Sequence, residues 1–460
     1  MAGIGFVLRK LTRKGNIGGF VEAYFHAIFA SSGPWILTIL TVWAFFIVGD
    51  YWRLSEYVEE FRVVILYNFS SSLVLTAPVI MLTTRYLADD FFKMDITKVS
   101  SLLIGTLSTQ LIVSFPIAFC FYFFYADMTL EMSLLAIINF LLISGIWLTM
   151  IFISSIKYYS AITFSFVTGM GLGVLLAYLF SGLFGPPGML FGFNCGLAFI
   201  LSSFLAVILA EYTHNVKNIF DFNHFWKKHW IVALSGTCYN LGIWIDKWIM
   251  WFSPERRVLP NNLIIYPEYD MAMFVAYLTI IPAMGLFLIH QETSFFEVYV
   301  RYYRGIMQHD PLNKIQRSHK DIIDNLMMNG RGVLILQATI CVFTLFLAPE
   351  IMNILGMNLV QISVFRFGVL GVTFQIISLF LMITLSYFDD KRDVLIIAAT
   401  FLISNTLFTL LSLNLGFAYY GYGYFMSTVL TFIVAAVLSE RYISKLTYHT
   451  FVTRNLAMAS

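Results

Sequence analysis

The chain has 460 residues, of which 59% are hydrophobic and 12% are charged, and its mean hydropathy is +0.80. A water-facing globular surface needs about twice that charged share, so a soluble domain is excluded. The net charge of +2 is spread unevenly along the chain, in the pattern of a membrane topology rather than a nucleic-acid surface.

A basic N-terminus, residues 1–19, comes first, followed by apolar runs that recur to residue 443. One crossing of a bilayer takes about 20 apolar residues of helix. Read this way, the runs predict twelve spans, at 20–48, 62–87, 101–125, 131–155, 160–182, 188–210, 230–252, 269–291, 330–348, 360–387, 394–413 and 421–443. The runs are continuously apolar and helix-length, without the alternation of a barrel strand, so the expected fold class is all-α. The first run is too long for a signal-peptide core and is expected to be retained. Six spans fill 20–210, a linker covers 211–229, six more fill 230–443, and a tail covers 444–460. Near-equal halves with the same number of spans and the same in-out sense match a parallel repeat.

Lys and Arg orient the bundle, because short basic loops stay on the cytoplasmic side. With both termini inside, 22 of the 28 basic residues fall on inner segments, and only Arg53, Arg62, Arg256 and Arg257 fall outside. The longest inner stretch after the N-terminus, 292–331, mixes aromatics with bases around Arg301, Tyr302, Tyr303 and Arg304. It reads as an interfacial amphipathic helix that anchors on lipid headgroups or docks a cytoplasmic partner. Cys120, Cys195, Cys238 and Cys341 fall inside spans without paired spacing, so no disulfide framework or zinc site is expected. The sequence calls for no cofactor and no metal.

Charges within spans are costly, about 2.5–3.5 kcal/mol each at the bilayer centre on insertion scales, so those present are informative. Asp246 and Lys247 are neighbours in span seven and point about 100° apart on a helix. Asp246 lies roughly 9 Å below the outer end of its span, at about the depth of Arg366 in span ten. Pairing of Asp246 with Arg366 is therefore expected, with Arg62 beside them on the wall of an outward-facing cavity. The plainer alternative is a structural ion pair with Lys247 snorkelling outward. Asn68 and Asn240 join these charges as candidates for a translocation path. Ser31-Ser32-Gly33-Pro34, Pro78, Asn139, Asn194, Pro282, Gln375 and Asn405 add polar or helix-breaking positions in both halves. Taken singly, each also suits helix-to-helix bonding.

The opening Met1-Ala2-Gly3-Ile4-Gly5-Phe6-Val7-Leu8-Arg9-Lys10-Leu11, with Ser31-Ser32-Gly33-Pro34-Trp35 after it, closely resembles the start of the inner-membrane transporters of bacterial Pel exopolysaccharide systems. Ile281-Pro282-Ala283-Met284-Gly285-Leu286-Phe287 and the stretch from Glu292 to Tyr303 also look like that family. The resemblance implies a polysaccharide transporter of the multidrug/oligosaccharidyl-lipid/polysaccharide exporter superfamily, with two six-helix lobes around a central cavity, placed in the bacterial inner membrane. It further implies a polymer substrate rich in N-acetylgalactosamine and galactosamine. Implied partners are a cytoplasmic glycosyltransferase and small membrane scaffold proteins, one of them a cyclic di-GMP receptor in many species.

Two rival classes are weighed beside it. An ion-coupled drug or lipid-linked oligosaccharide exporter on the same fold would want an acidic residue deep in the first lobe, where the sequence places none. An integral-membrane glycosyltransferase would want carboxylates for base catalysis or metal binding. The candidates Asp89, Asp90, Asp389, Asp390 and Asp393, with Asp50, Glu56, Glu59 and Glu60, sit in short loops and read as solvated helix ends.

Overall fold

Lipid offers no hydrogen bonds, so each crossing segment must satisfy its backbone internally, and the chain does so by helix throughout. The computed structural model describes residues 17–93, 96–156, 159–212, 216, 218–356 and 359–453. The opening motif, Lys157, Lys217 and the tail from Arg454 lie outside these residues, as do the side chains of Ser31, Pro34 and Trp35. In chain order the first helices are α1 (Ile17–Tyr51), α2 (Ser55–Phe92), α3 (Val99–Cys120), α4 (Leu130–Ile156), α5 (Tyr159–Phe184), α6 (Pro186–Glu211) and α7 (His224–Met250). A two-stranded antiparallel hairpin follows, β1 (Arg257–Val258) and β2 (Ile264–Ile265). The remainder is α8 (Pro267–Leu278), α9 (Ile281–His290), α10 (Phe296–Met307), α11 (Leu312–Phe346), α12 (Ala348–Ile354), α13 (Leu359–Tyr387), α14 (Lys391–Leu415) and α15 (Tyr422–Ser444).

Ten helical stretches among the described residues are long and apolar enough to cross a membrane. The apolar part of α1, Ile36–Tyr51, and the helix α7 stand where spans one and seven are expected. The chain is a multi-pass, all-α membrane protein.

It divides into two compact units. The first comprises Ser32–Trp244 with Trp251–Tyr266; the second takes α1 up to Ser31, Ile245–Met250, and everything from Pro267. The division differs from a simple cut at 211–229. The last turns of α7 carry Asp246, which bonds to Tyr269 in α8, so they belong with the second unit. The β hairpin instead belongs to the first: Tyr67 donates to the Ile264 carbonyl (2.6 Å), accepts from the Ile264 amide (3.2 Å) and stacks on Trp251 at 4.5 Å.

The first unit is knit by glycine. On α5 and α6, Gly169, Gly173, Gly192 and Gly196 bring two backbones together, so that a Cβ on Gly192 would lie 2.2 Å from the Ala177 nitrogen and one on Gly196 2.5 Å from the Gly169 carbonyl. With lipid outside as apolar as the helix surface, such close approach supplies the van der Waals gain that holds spans together.

In the second unit, one expected span is broken. Between α8 and α9 the helix is interrupted at Thr279–Ile280, where Pro282 cannot donate to the Leu278 carbonyl. A π-helical turn, Gln291–Phe295, then joins α9 to α10. This changes the reading of 292–331. It continues α9 through that turn into α10 and then leads into α11, as two arms of a helical hairpin. Phe295, Tyr302, Ile315 and Ile322 are buried against Phe388, Tyr442 and Leu446 in one apolar cluster, because the amphipathic face has a protein partner to cover it.

Candidate functional site

The most unusual chemistry lies in the second unit, at the end of α7. Asp246 is 0% exposed and Lys247 6%, within a helix of apolar neighbours. A buried carboxylate is tolerated only with a counter-charge and hydrogen bonds. Both are present. The Lys247 stem bends back so that Nζ sits 3.0 Å from Oδ1 and 3.1 Å from Oδ2 of Asp246. Tyr269, in the first turn of α8, donates its hydroxyl to Oδ2 at 3.0 Å. The ammonium also lies 4.7 Å from the ring centroid of Tyr277 and 5.8 Å from that of Tyr424. Tyr424 in turn donates its hydroxyl to Oε1 of Gln375 on α13. The result is a carboxylate and two aromatic faces gathered around one ammonium, close to where α8 breaks.

This corrects two expectations. The ion pair of Asp246 is with its own neighbour, and Arg366 is exposed. Lys247 does not snorkel outward, because the aromatic faces and the carboxylate hold its ammonium inside. The helical angle between adjacent Cβ positions argued against such pairing, but four methylenes are long enough to fold back.

In the first unit an amide chain runs between the helices. Tyr122 donates to Oδ1 of Asn68 (2.6 Å), and Nδ2 of Asn68 donates to Oδ1 of Asn139 (2.8 Å). Nδ2 of Asn139 then donates to Oδ1 of Asn194 (2.7 Å), which closes on the Leu135 carbonyl (2.9 Å). Four transmembrane segments are pinned at one level. Asn68 is 1% exposed and bonds one helix to another. Asn240 bonds back to the Gly236 carbonyl of its own helix (2.9 Å). Arg62 is half-buried, with its guanidinium 5.6 Å from the Phe46 ring centroid. The six residues expected to line one path thus lie in two units and in different environments.

At the other end of the second unit, Arg301 and Arg304 are exposed, with Arg301 3.5 Å from Asp321. Tyr302 is 0% exposed, facing Thr450 and His319, so it is core and not available to a partner; Tyr303 is half-buried against Tyr299. Three of the acidic residues weighed for enzymatic chemistry are engaged with neighbours: Asp89 pairs with Arg85 (3.2 Å), Asp389 with Lys391 (3.6 Å), and Glu60 accepts from Asn261 (3.0 Å).

Sequence reasoning missed Tyr269, Tyr277, Tyr424 and Tyr122. Tyrosines in the outer part of a span read as interfacial belt, and only the burial and facing of these rings separates them from it.

The helices, in two units with polar networks inside each, take the fold of multidrug and toxin extrusion transporters. Solved structures agree. The chain is similar to a MATE transporter crystallised in complex with MaL6, at 13% identity over 92% of this chain and 97% of that one, with a TM-score of 0.61. It is equally similar to an inward-facing multidrug resistance MATE family transporter of the MOP superfamily (14%, 92% and 99%, 0.61), and also to a MOP superfamily transporter from Pyrococcus furiosus (13%, 92% and 96%, 0.54). No curated protein matches. The chain belongs to the PelG family, described as "Putative exopolysaccharide Exporter (EPS-E)", which matches residues 1–451.

Proposed function

We propose that this chain moves a Pel-type exopolysaccharide, rich in N-acetylgalactosamine and galactosamine, from the cytoplasm across the bacterial inner membrane. The observation that carries the reading is the family match over nearly the whole length, on a fold of the MOP superfamily. In this reading, both termini are cytoplasmic and the two units correspond to the lobes of an alternating-access exporter. A cytoplasmic glycosyltransferase delivers the growing polymer. The exposed bases Arg301 and Arg304 on α10 suit docking of that enzyme or of a membrane scaffold, including one that binds cyclic di-GMP. Asp246, Lys247, Arg366 and Arg62 are the charges that would shape the path.

Deleting the chain from a polymer-producing strain should abolish extracellular polymer while membranes still incorporate labelled sugar nucleotide into cell-associated polymer. Unchanged secretion would overturn the reading. Polymer made by the purified chain alone from sugar nucleotides would replace it with an enzymatic one.

A further inference from the structure

Several elements converge on the buried ion pair of Asp246 and Lys247. Tyr269 and Tyr277 come from α8, Tyr424 from α15, and Gln375 on α13 holds the Tyr424 hydroxyl. Two of them face the ammonium itself, and the others hold the groups around it. The Tyr269 hydroxyl bonds the carboxylate from the side and leaves both its oxygens within reach of Nζ. The rings of Tyr277 and Tyr424 present their electron-rich faces within 6 Å of the same nitrogen, the arrangement by which proteins recognise ammonium ligands. Tyr277 lies in the last turn before the break at Thr279–Ile280, and interrupted helices are where transporters place their ion sites.

We propose that Asp246, Tyr269, Tyr277 and Tyr424 form a binding site for a small monovalent primary ammonium ion, in which the side chain of Lys247 is a tethered occupant. The protein thereby carries its own counter-ion for a carboxylate that lipid would not tolerate unpaired. The site is neutral while Lys247 is seated, and it stays neutral if another monovalent cation takes its place. Tethering gives the lysine ammonium a very high effective concentration, so free amines do not displace it from the wild-type protein. This site goes beyond the exporter reading and does not depend on which polymer is carried.

Removing the tether tests the site. Full-length Lys247→Ala, purified in detergent, should melt below wild type, and methylammonium chloride should raise its melting temperature along a saturable curve. Sodium chloride at equal ionic strength should raise it less. Wild type, whose site is filled, and Asp246→Asn/Lys247→Ala, which lacks the carboxylate, should respond to methylammonium no more than to sodium chloride. If Lys247→Ala is lost on extraction, its recovery when methylammonium is present from lysis onward becomes the readout. A Lys247→Ala protein that neither responds nor is recovered would overturn the proposal, as would an equal response in the double variant. The melting curve does not read export, so failure here leaves the exporter reading to its own test.

Discussion

At the scale of single residues, a polar side chain within a span is defined by its partner. Asn68 and Asn240 look alike in sequence, yet Asn68 joins Tyr122 to Asn139 across helices while Asn240 returns to its own backbone. Asn68→Ala leaves the Tyr122 hydroxyl and the Asn139 carbonyl oxygen without their recorded partner, at a cost of about 1–3 kcal/mol for buried groups. Thermal unfolding in detergent should show this loss. Combining it with Tyr122→Phe should cost less than the sum, since both changes act on one bond. Additive losses would mean that the two side chains act separately. Asn240→Ala should stay within about 0.5 kcal/mol of wild type. The helix–helix role of Asn68, Asn139 and Asn194 was legible in the sequence as one of two readings. Which asparagine would find which neighbour was not, because the partners lie 55 to 71 positions apart.

At the scale of elements, close helix packing and helix continuity carry the fold. The Gly192 and Gly196 positions on α6 face α5 with no room for a side chain. Gly192→Leu must push the helices apart, and overpacking of this kind typically costs about 1–3 kcal/mol or more. The expected outcome is a marked fall in detergent-extracted folded protein for Gly192→Leu. Gly171, whose added Cβ would meet nothing within 4 Å, should accept Leu with little change. Equal behaviour of the two variants would show that the α5–α6 seam does not limit stability. The hairpin of α10 and α11 makes the same point about environment. A helix with aromatics on one face and bases on the other reads as a lipid-surface element until a protein core is found to cover the apolar face, as it does for Tyr302.

At the scale of the whole molecule, topology follows from charge. The exposed Asn313 at the start of α11 and the C-terminal Ser460 are both expected on the cytoplasmic face, given the 22-to-4 imbalance of basic residues. Single cysteines placed there in a background without the four native ones should resist a membrane-impermeant thiol reagent in intact cells and react after permeabilisation. Labelling of either position in intact cells would refute this orientation.

The sequence by itself determined the class of this protein. Apolar runs of spanning length leave helix as the local solution in lipid, so the all-α multi-pass fold and most of the spans could be read from composition and period alone. It also located Asp246 and Lys247 as charges that need an explanation. Only the tertiary structure decided what satisfies them. Burial cost is a property of one residue and is written locally, whereas a partner is set by helix packing and side-chain reach. Arg366 was expected at the depth of Asp246 but is exposed, and the adjacent lysine, helped by three tyrosines from other helices, closes the site instead.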